Sequence, residues 1–360
     1  MEVAARANVA LSTVSRVMNG GCASQQARER VEQAARDLGY KPSSIARNFK
    51  RGRQGCIGVI VESSQGSWFA QVLGGIEQAL AEKAGSALLL GSLVALGPEP
   101  APGERNLGPR PVRYDSSAMA GWIADRRVDG LIFARCTGSE ADLVDMAREA
   151  RIPMVFIAPD EHFGAGPVFV SRNREAAGAL GRHLLSLGHR RFGFLGGPRD
   201  STDTADRLRG LRDALAAAGI EIDPAHCHFT ASYSRQGGTF FARQWLETPR
   251  GRAPTVIVCA NDLLAIAFMR AVLERGVRVP DEVSVTGFDG VAEGELYWPG
   301  LTTVQQPSHM MGGAACRELL RMIDNPDVAG PARIELPTEL VIRESTGPAP
   351  ALAEVITRAV

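Results

Sequence analysis

The chain has 360 residues, 45% of them apolar and 22% charged, with 40 Lys and Arg balanced by 40 Asp and Glu. This length and composition exclude a disordered or fibrous protein and suffice for two or three compact cores beside a small module. No apolar run reaches the roughly eighteen residues of a membrane span, and no basic-then-apolar leader opens the chain, so a cytoplasmic protein is expected.

In chain order, Glu2 to Ala7 reads as a short helix and Asn8 as a residue that tolerates a tight turn. The stretch Val9 to Gly20 follows. Val9, Val14, Val17 and Met18 gather on one side of a helix, while Leu11, Ser12, Ser15 and Arg16 project from the other. One face packs and the other can meet base edges, as a DNA-recognition helix requires. Ser24 offers its hydroxyl as the N-cap of a third helix, backed by Val31, Ala34, Ala35 and Leu38 and ended by Gly39. Residues 1–55 carry ten Lys and Arg against four Asp and Glu, a net charge of +6, which leaves −6 on the remainder. A basic module on an acidic body suits a protein of which only one end sits on phosphate.

Ser43 to Lys50 is too short to hold a helix by itself. Beyond Gly55, apolar strands are expected at 56–61, 87–93, 130–134, 154–158, 192–195, 255–259 and 283–288. Helices are expected at 69–83, 118–126, 140–150, 175–187, 204–218, 237–247 and 263–275. Near-continuous apolar strands separated by helices imply parallel sheets covered on both faces, and seven strands suit two α/β subdomains with a cleft between them. Dense Pro and Gly make Gly97 to Tyr114 a surface loop. The six cysteines lie far apart in sequence and read as small apolar fillers. His226 and His228 share one face of a strand and leave open an exposed strand face or a pair of metal nitrogens; with no third ligand nearby, no metal and no cofactor are expected.

The order helix, turn, recognition helix, Asn19-Gly20-Gly21, Ser-capped helix and Gly39-Tyr40-Lys41-Pro42 resembles the headpiece of the LacI-type (lactose/galactose-repressor) family of bacterial transcription regulators. The resemblance continues from about Gly55 to Thr346. It is carried by Trp68-Phe69-Ala70 through Gly75-Ile76-Glu77, Arg127-Val128-Asp129-Gly130, Leu187-Gly188-His189-Arg190-Arg191, Ala260-Asn261-Asp262, Gly287-Phe288-Asp289-Gly290, Leu301-Thr302-Thr303-Val304 and Arg343-Glu344-Ser345.

That resemblance implies a small all-α helix-turn-helix headpiece at 1–42 and a hinge helix and linker at 43–55. A periplasmic-binding-protein-like α/β body at 56–346 follows, with the chain crossing three times between two parallel-sheet subdomains. One subdomain takes about 56–168 and 307–333, the other about 169–306 and 334–346, and 347–360 is a tail without the heptads of a tetramer. DNA contacts are expected from Leu11, Ser12, Thr13, Ser15, Arg16, Asn19 and Arg47, with Arg16 forking onto guanine. Phe49 stands where the family has Leu; it either wedges into the minor groove or packs against a partner hinge. Ala10 replaces a capping Ser, and Met1 lies inside the first helix, so either the start lies upstream or the headpiece lacks that helix's cap and its upstream phosphate contacts.

Asp289 and Asn261 follow apolar strands and so project into the cleft, where they suit paired hydroxyls; Arg207 matches the family's effector-binding arginine, and Trp68 or Phe69, with Tyr233, offer stacking faces. Ala158 and Arg172 stand where sugar-binding relatives carry an acid or amide, which favours an anionic effector such as a sugar acid or phosphorylated sugar. The expected function is a transcriptional repressor, a homodimer on pseudo-palindromic double-stranded DNA, controlled by a sugar or sugar acid, with no catalytic residue. The alternatives are a solute-binding protein without DNA activity and a nucleotide-dependent α/β enzyme using Gly193 to Gly197, which lacks dinucleotide-binding spacing.

Overall fold

The computed structural model describes residues 2–18, 21–40, 53–61, 66–83, 86–92, 94–95, 114–136, 138, 140–160, 164–327 and 330–350. The chain divides at Gly55 into two compact units. Asn19, Gly20, the 43–50 hinge with Arg47 and Phe49, most of the 97–114 loop and the 351–360 tail lie outside the described residues.

The first unit is helical. Helix α1 (Glu2–Ala7) leads through Asn8, whose φ of 48° is the left-handed turn conformation, into α2 (Leu11–Met18). Ser24 caps α3 (Gln25–Asp37), its hydroxyl accepting from the Ala27 amide at 3.3 Å, and Gly39 turns the chain out at φ 60°. Val3, Ala7, Val14, Val17, Val31, Ala34 and Ala35 form the core, so the apolar stripe read from the sequence is the stripe that packs.

The second unit alternates strands and helices: β1 (Cys56–Val61), α4 (Ser67–Ala81), β2 (Ala87–Ser92), the short pair β3 (Val94–Ala95) and β4 (Tyr114–Asp115), α5 (Ser117–Ala124), β5 (Gly130–Ala134), α6 (Ala141–Glu149), β6 (Met154–Ile157) and β7 (Val168–Ser171). Then come α7 (Asn173–Ser186), β8 (Phe192–Gly196), α8 (Thr202–Ala216), β9 (Cys227–Phe229), α9 (Arg235–Glu247), β10 (Val256–Cys259), α10 (Asp262–Leu273), β11 (Ser284–Thr286), α11 (Ala292–Leu296), β12 (Thr303–Gln305), α12 (Ser308–Asp324), β13 (Arg333–Leu336) and β14 (Glu339–Val341). Among the described residues, two parallel sheets result, in the orders β13-β7-β6-β5-β1-β2 and β11-β10-β8-β9.

Alternation along each strand feeds two cores per sheet. Ile57, Val59 and Val61 of β1 pack with α4 and α12, whereas Ile60 faces the opposite core with Leu131, Phe133 and Leu143. Ile257 and Cys259 of β10 likewise face one core, Val256 and Val258 the other. Strands β7 and β13, absent from the sequence expectation, pair with each other in parallel and complete the first sheet. Strand β6 stops at Ile157 because Ala158 adopts φ 45°, which turns the chain out of the sheet. The chain leaves the first sheet after β7, returns through Gln306 and Pro307 into α12, and leaves again after β13 into β14, which pairs antiparallel with β12.

Two packing details fix how the body closes. Helices α4 and α12 meet through glycine: a Cβ at Gly75 would overlap the His309 carbonyl and one at Gly312 the Val72 carbonyl. In the second lobe, His189 lies buried with Nδ1 against the Thr255 hydroxyl at 2.9 Å and Nε2 against the Gly347 carbonyl at 3.1 Å, tying the segment after β14 to β10. Burial lowers its pKa to about 4, the Gly347 bond opposing the shift.

Gly312→Ala should lower stability by about 1–3 kcal/mol in chemical denaturation, because the added methyl meets rigid backbone. His189 stays neutral in the folded chain while the unfolded chain takes up a proton below about 6.5, so its contribution is complete above that pH and is lost as pH falls toward about 4. The wild-type minus His189→Asn stability difference should therefore shrink between pH 7 and pH 5.

Candidate functional site

Two surfaces carry chemistry. On the helical unit, α2 buries Val14 and Val17 and turns Leu11, Ser12 and Arg16 to solvent, with Thr13 and Ser15 half-buried between them; Leu11 is 57% exposed. An exposed leucine beside a hydroxyl and a guanidinium matches what a major groove offers: thymine methyls, acceptor edges and phosphates.

In the α/β unit the polar residues converge where the strands of the two sheets end. Arg207, on α8, is buried. Its Nε donates to Asn173 Oδ1 at 2.9 Å and one terminal nitrogen donates to the Ala260 carbonyl at 2.5 Å. The guanidinium lies 3.5 Å from an Asp203 oxygen and 3.8 Å from Asp289 Oδ1, and stacks on Phe288 with 3.8 Å to the ring centroid. Asn173 completes the triangle by donating to Asp203 at 2.9 Å.

Asp289 stands just beyond β11 at φ +128°, a conformation most side chains avoid, held by its amide on the Val304 carbonyl and its carbonyl on the Gln306 amide. Its carboxylate accepts from Gln306 Nε2 at 2.7 Å, and Gln306 in turn accepts from the Ser171 hydroxyl at 2.7 Å. One chain of ion pairs and hydrogen bonds therefore links Arg207 to two of the crossing segments. Burial raises the Asp289 pKa to about 7; Arg207 pulls it down and Asp262 pushes it up.

A second group spans the cleft. Asp160, just past β6, accepts from the Thr202 amide at 2.8 Å and the Ser201 hydroxyl at 3.0 Å, at the first turn of α8. Arg135, just past β5, lies 3.4 Å from Asp160 and 3.6 Å from Asp203, with its guanidinium over the Tyr233 ring. The Tyr233 hydroxyl bonds Thr204 at 2.7 Å and Ser201 at 3.0 Å. Burial raises the Asp160 pKa, opposed by Arg135.

Of the positions expected in the cleft, Arg207, Asp289 and Tyr233 join this network. Trp68 and Phe69 meet edge to face at 5.0 Å on the first turn of α4, where Gln71 donates to the Gly290 carbonyl and Ser67 pairs with Glu293; the Trp68 Nε1 is buried without a partner. Asn261 uses its side-chain oxygen to cap α10, accepting from the Leu264 amide at 2.9 Å. Arg172 pairs with Glu175 at 3.7 Å and borders a small cavity of about 100 Å³ with Pro337, Thr338 and Leu340, while its neighbour Asn173 reaches Arg207. Sequence reasoning misses Arg135, Asp160, Asn173, Asp203 and Gln306. The strand-end rule that selects Asp289 also selects the first three, which follow β5, β6 and β7. Gly197 packs against Tyr233, where a Cβ would overlap the ring. His228 bonds the Ala225 carbonyl at 2.8 Å and packs on Phe241.

Residues 1–43 match the model of bacterial regulatory proteins of the lacI family, and residues 182–346 match a periplasmic binding protein-like domain. The HTH-type transcriptional repressor PurR of Escherichia coli O139:H28 is 32% identical over 352 residues, 97% of each chain. The chain belongs to the lacI family. Among solved structures, the Lac repressor dimer bound to operator and the anti-inducer ONPF superposes with TM-score 0.72 at 26% identity over 96% of this chain and 98% of that one. The transcriptional regulator CelR–cellobiose complex gives 0.68 at 28% over the same shares. These relatives are named as regulators rather than enzymes, and in this lacI-family chain no helix among the described residues is long and apolar enough to cross a membrane.

Arg207→Met should cost roughly 3–5 kcal/mol in chemical denaturation at pH 7, because it strands two buried carboxylates. Asp289→Asn should cost clearly less, since Asn still accepts from Gln306 and leaves Arg207 paired with Asp203. Equal losses would contradict the pairing.

Proposed function

We propose that this chain is a sequence-specific transcriptional repressor that binds pseudo-palindromic double-stranded DNA as a homodimer in the cytoplasm. A small effector of the sugar class, held between the two lobes by Arg207, Asp289 and the aromatic pair Trp68 and Phe69, sets its operator affinity. The observation that carries the reading is α2: a helix whose apolar side is consumed by the headpiece core and whose outer side presents Leu11, Ser12 and Arg16 on a module of net charge +6. Tyr233 and Asn261 complete the effector-responsive set, Tyr233 from within the network and Asn261 as the cap of α10. Relatives solved with cellobiose and ribose support the sugar class, and the Lac repressor dimer supports two-fold assembly. The second lobe exposes Leu296 by 84%, Trp298 by 79% and Ile342 by 58%, an apolar surface that fits a second copy of the chain.

Three results are expected. In fluorescence anisotropy, the wild-type chain should bind one half-site pair far more tightly than scrambled duplex, with affinity falling steeply as salt rises. Arg16→Ala should reduce that preference by about tenfold, as for loss of a bidentate base contact worth roughly 1–3 kcal/mol. In sedimentation, Trp298→Asp should shift the chain toward monomer and weaken operator binding in parallel. Uniform, weak binding to every duplex would overturn the reading.

A further inference from the structure

The first turn of α8 is an obvious anchor for an anion, since its free amides and the helix dipole both favour negative charge. The chain fills that place itself: Ser201 caps the Thr204 amide from the start of the helix at 3.5 Å, and the Thr202 amide is taken from across the cleft. Asp160 belongs to the first lobe, yet its Oδ1 takes the Thr202 amide at 2.8 Å and the Ser201 hydroxyl at 3.0 Å, and its carbonyl accepts from the Thr202 hydroxyl at 2.8 Å. Arg135 turns to the same carboxylate at 3.4 Å and to Asp203 at 3.6 Å, and is further held by stacking on Tyr233. The two guanidiniums of this region, Arg135 and Arg207, are thus both engaged by Asp160, Asp203 and Asp289, three acids to two bases. An incoming carboxylate or phosphate meets amides already in use and an excess of negative charge; a hydroxyl or ammonium group meets acceptors.

We infer that Asp160 sets the charge selectivity of the cleft: by capping α8 from the opposite lobe it excludes carboxylate- and phosphate-bearing effectors and reserves the site for neutral or amino-substituted polyols. This rests on the proposed placement of the effector between the lobes. It also replaces the sugar-acid expectation, which relied on Arg172 as the added cation; that side chain pairs with Glu175 instead.

The test uses inorganic phosphate, which needs no knowledge of the effector. In isothermal titration and thermal shift on the full chain, Asp160→Ala should bind phosphate at least tenfold more tightly than wild type, through the vacated Thr202 amide, the Ser201 hydroxyl and Arg135. Asp160→Asn, which keeps the volume and removes the charge, should gain at least threefold and guards against a failure of the alanine variant to fold. In parallel, glucose and glucosamine should stabilise the wild-type chain more than gluconate or glucose 6-phosphate. Equal phosphate affinity in wild type and both variants, or a wild-type preference for the acid or the phosphate ester, would overturn the inference. A response to neutral sugars unchanged by Asp289→Asn would instead overturn the placement of the effector, and the phosphate comparison would then decide the role of Asp160 independently.

Discussion

A guanidinium out of water must be surrounded, and the burial of Arg207 organises the body of this protein. Its charge cannot be removed by deprotonation, so the fold has to deliver acceptors to it. They come from separate stretches of chain: Asn173 directly after the first crossing, Asp203 one turn earlier on the same helix, the Ala260 carbonyl at the end of β10, and Asp289 beyond β11. Phe288 covers the flat face. Asp289 holds its strained backbone because both its amide and its carboxylate are tied to the second crossing, through Val304 and Gln306. The same groups that suit a polyol are therefore the groups that hold two crossing segments together.

This arrangement gives effector binding a route to conformational change. A ligand that draws on Asp289 or Arg207 competes with Gln306, Asn173 and Asp203 for the same acceptors and donors, and so acts on the segments that join the lobes. On the proposed function, whatever factor the effector imposes on operator affinity is imposed equally by the operator on the effector. Asp160 and Arg135 add a clasp made entirely of the chain's own groups on another side of the cleft.

Some periodic features are legible from sequence, though the seventeen-residue α12 is not among the expected helices. The α2 stripe, the Ser24 cap and the strands flanking Asp289 and Asn261 follow from spacing and capping chemistry alone, and the structure agrees on each. Strands β7 and β13 are not, although they are no shorter than β10 and β11: β13 is fixed as a strand by pairing with β7, 165 residues away. Side-chain direction is legible still less. Arg172 and Asn173 are adjacent, yet only Asn173 reaches Arg207, because at a helix start successive residues point to different sides. Asp160 and Arg135 escape a reading along the chain because their partners, Ser201 and Tyr233, lie 41 and 98 residues away.

The central claim is that one buried cation ties two crossing segments to the cleft, and backbone hydrogen exchange in the Arg207→Met variant tests it most directly. Exchange should quicken together at Asn173, Asp289 and Gln306, residues from three separate stretches of chain, while the first lobe's β1 and β5 keep their protection. Faster exchange confined to α7 and α8, with the Asp289 and Gln306 amides unchanged, would contradict it.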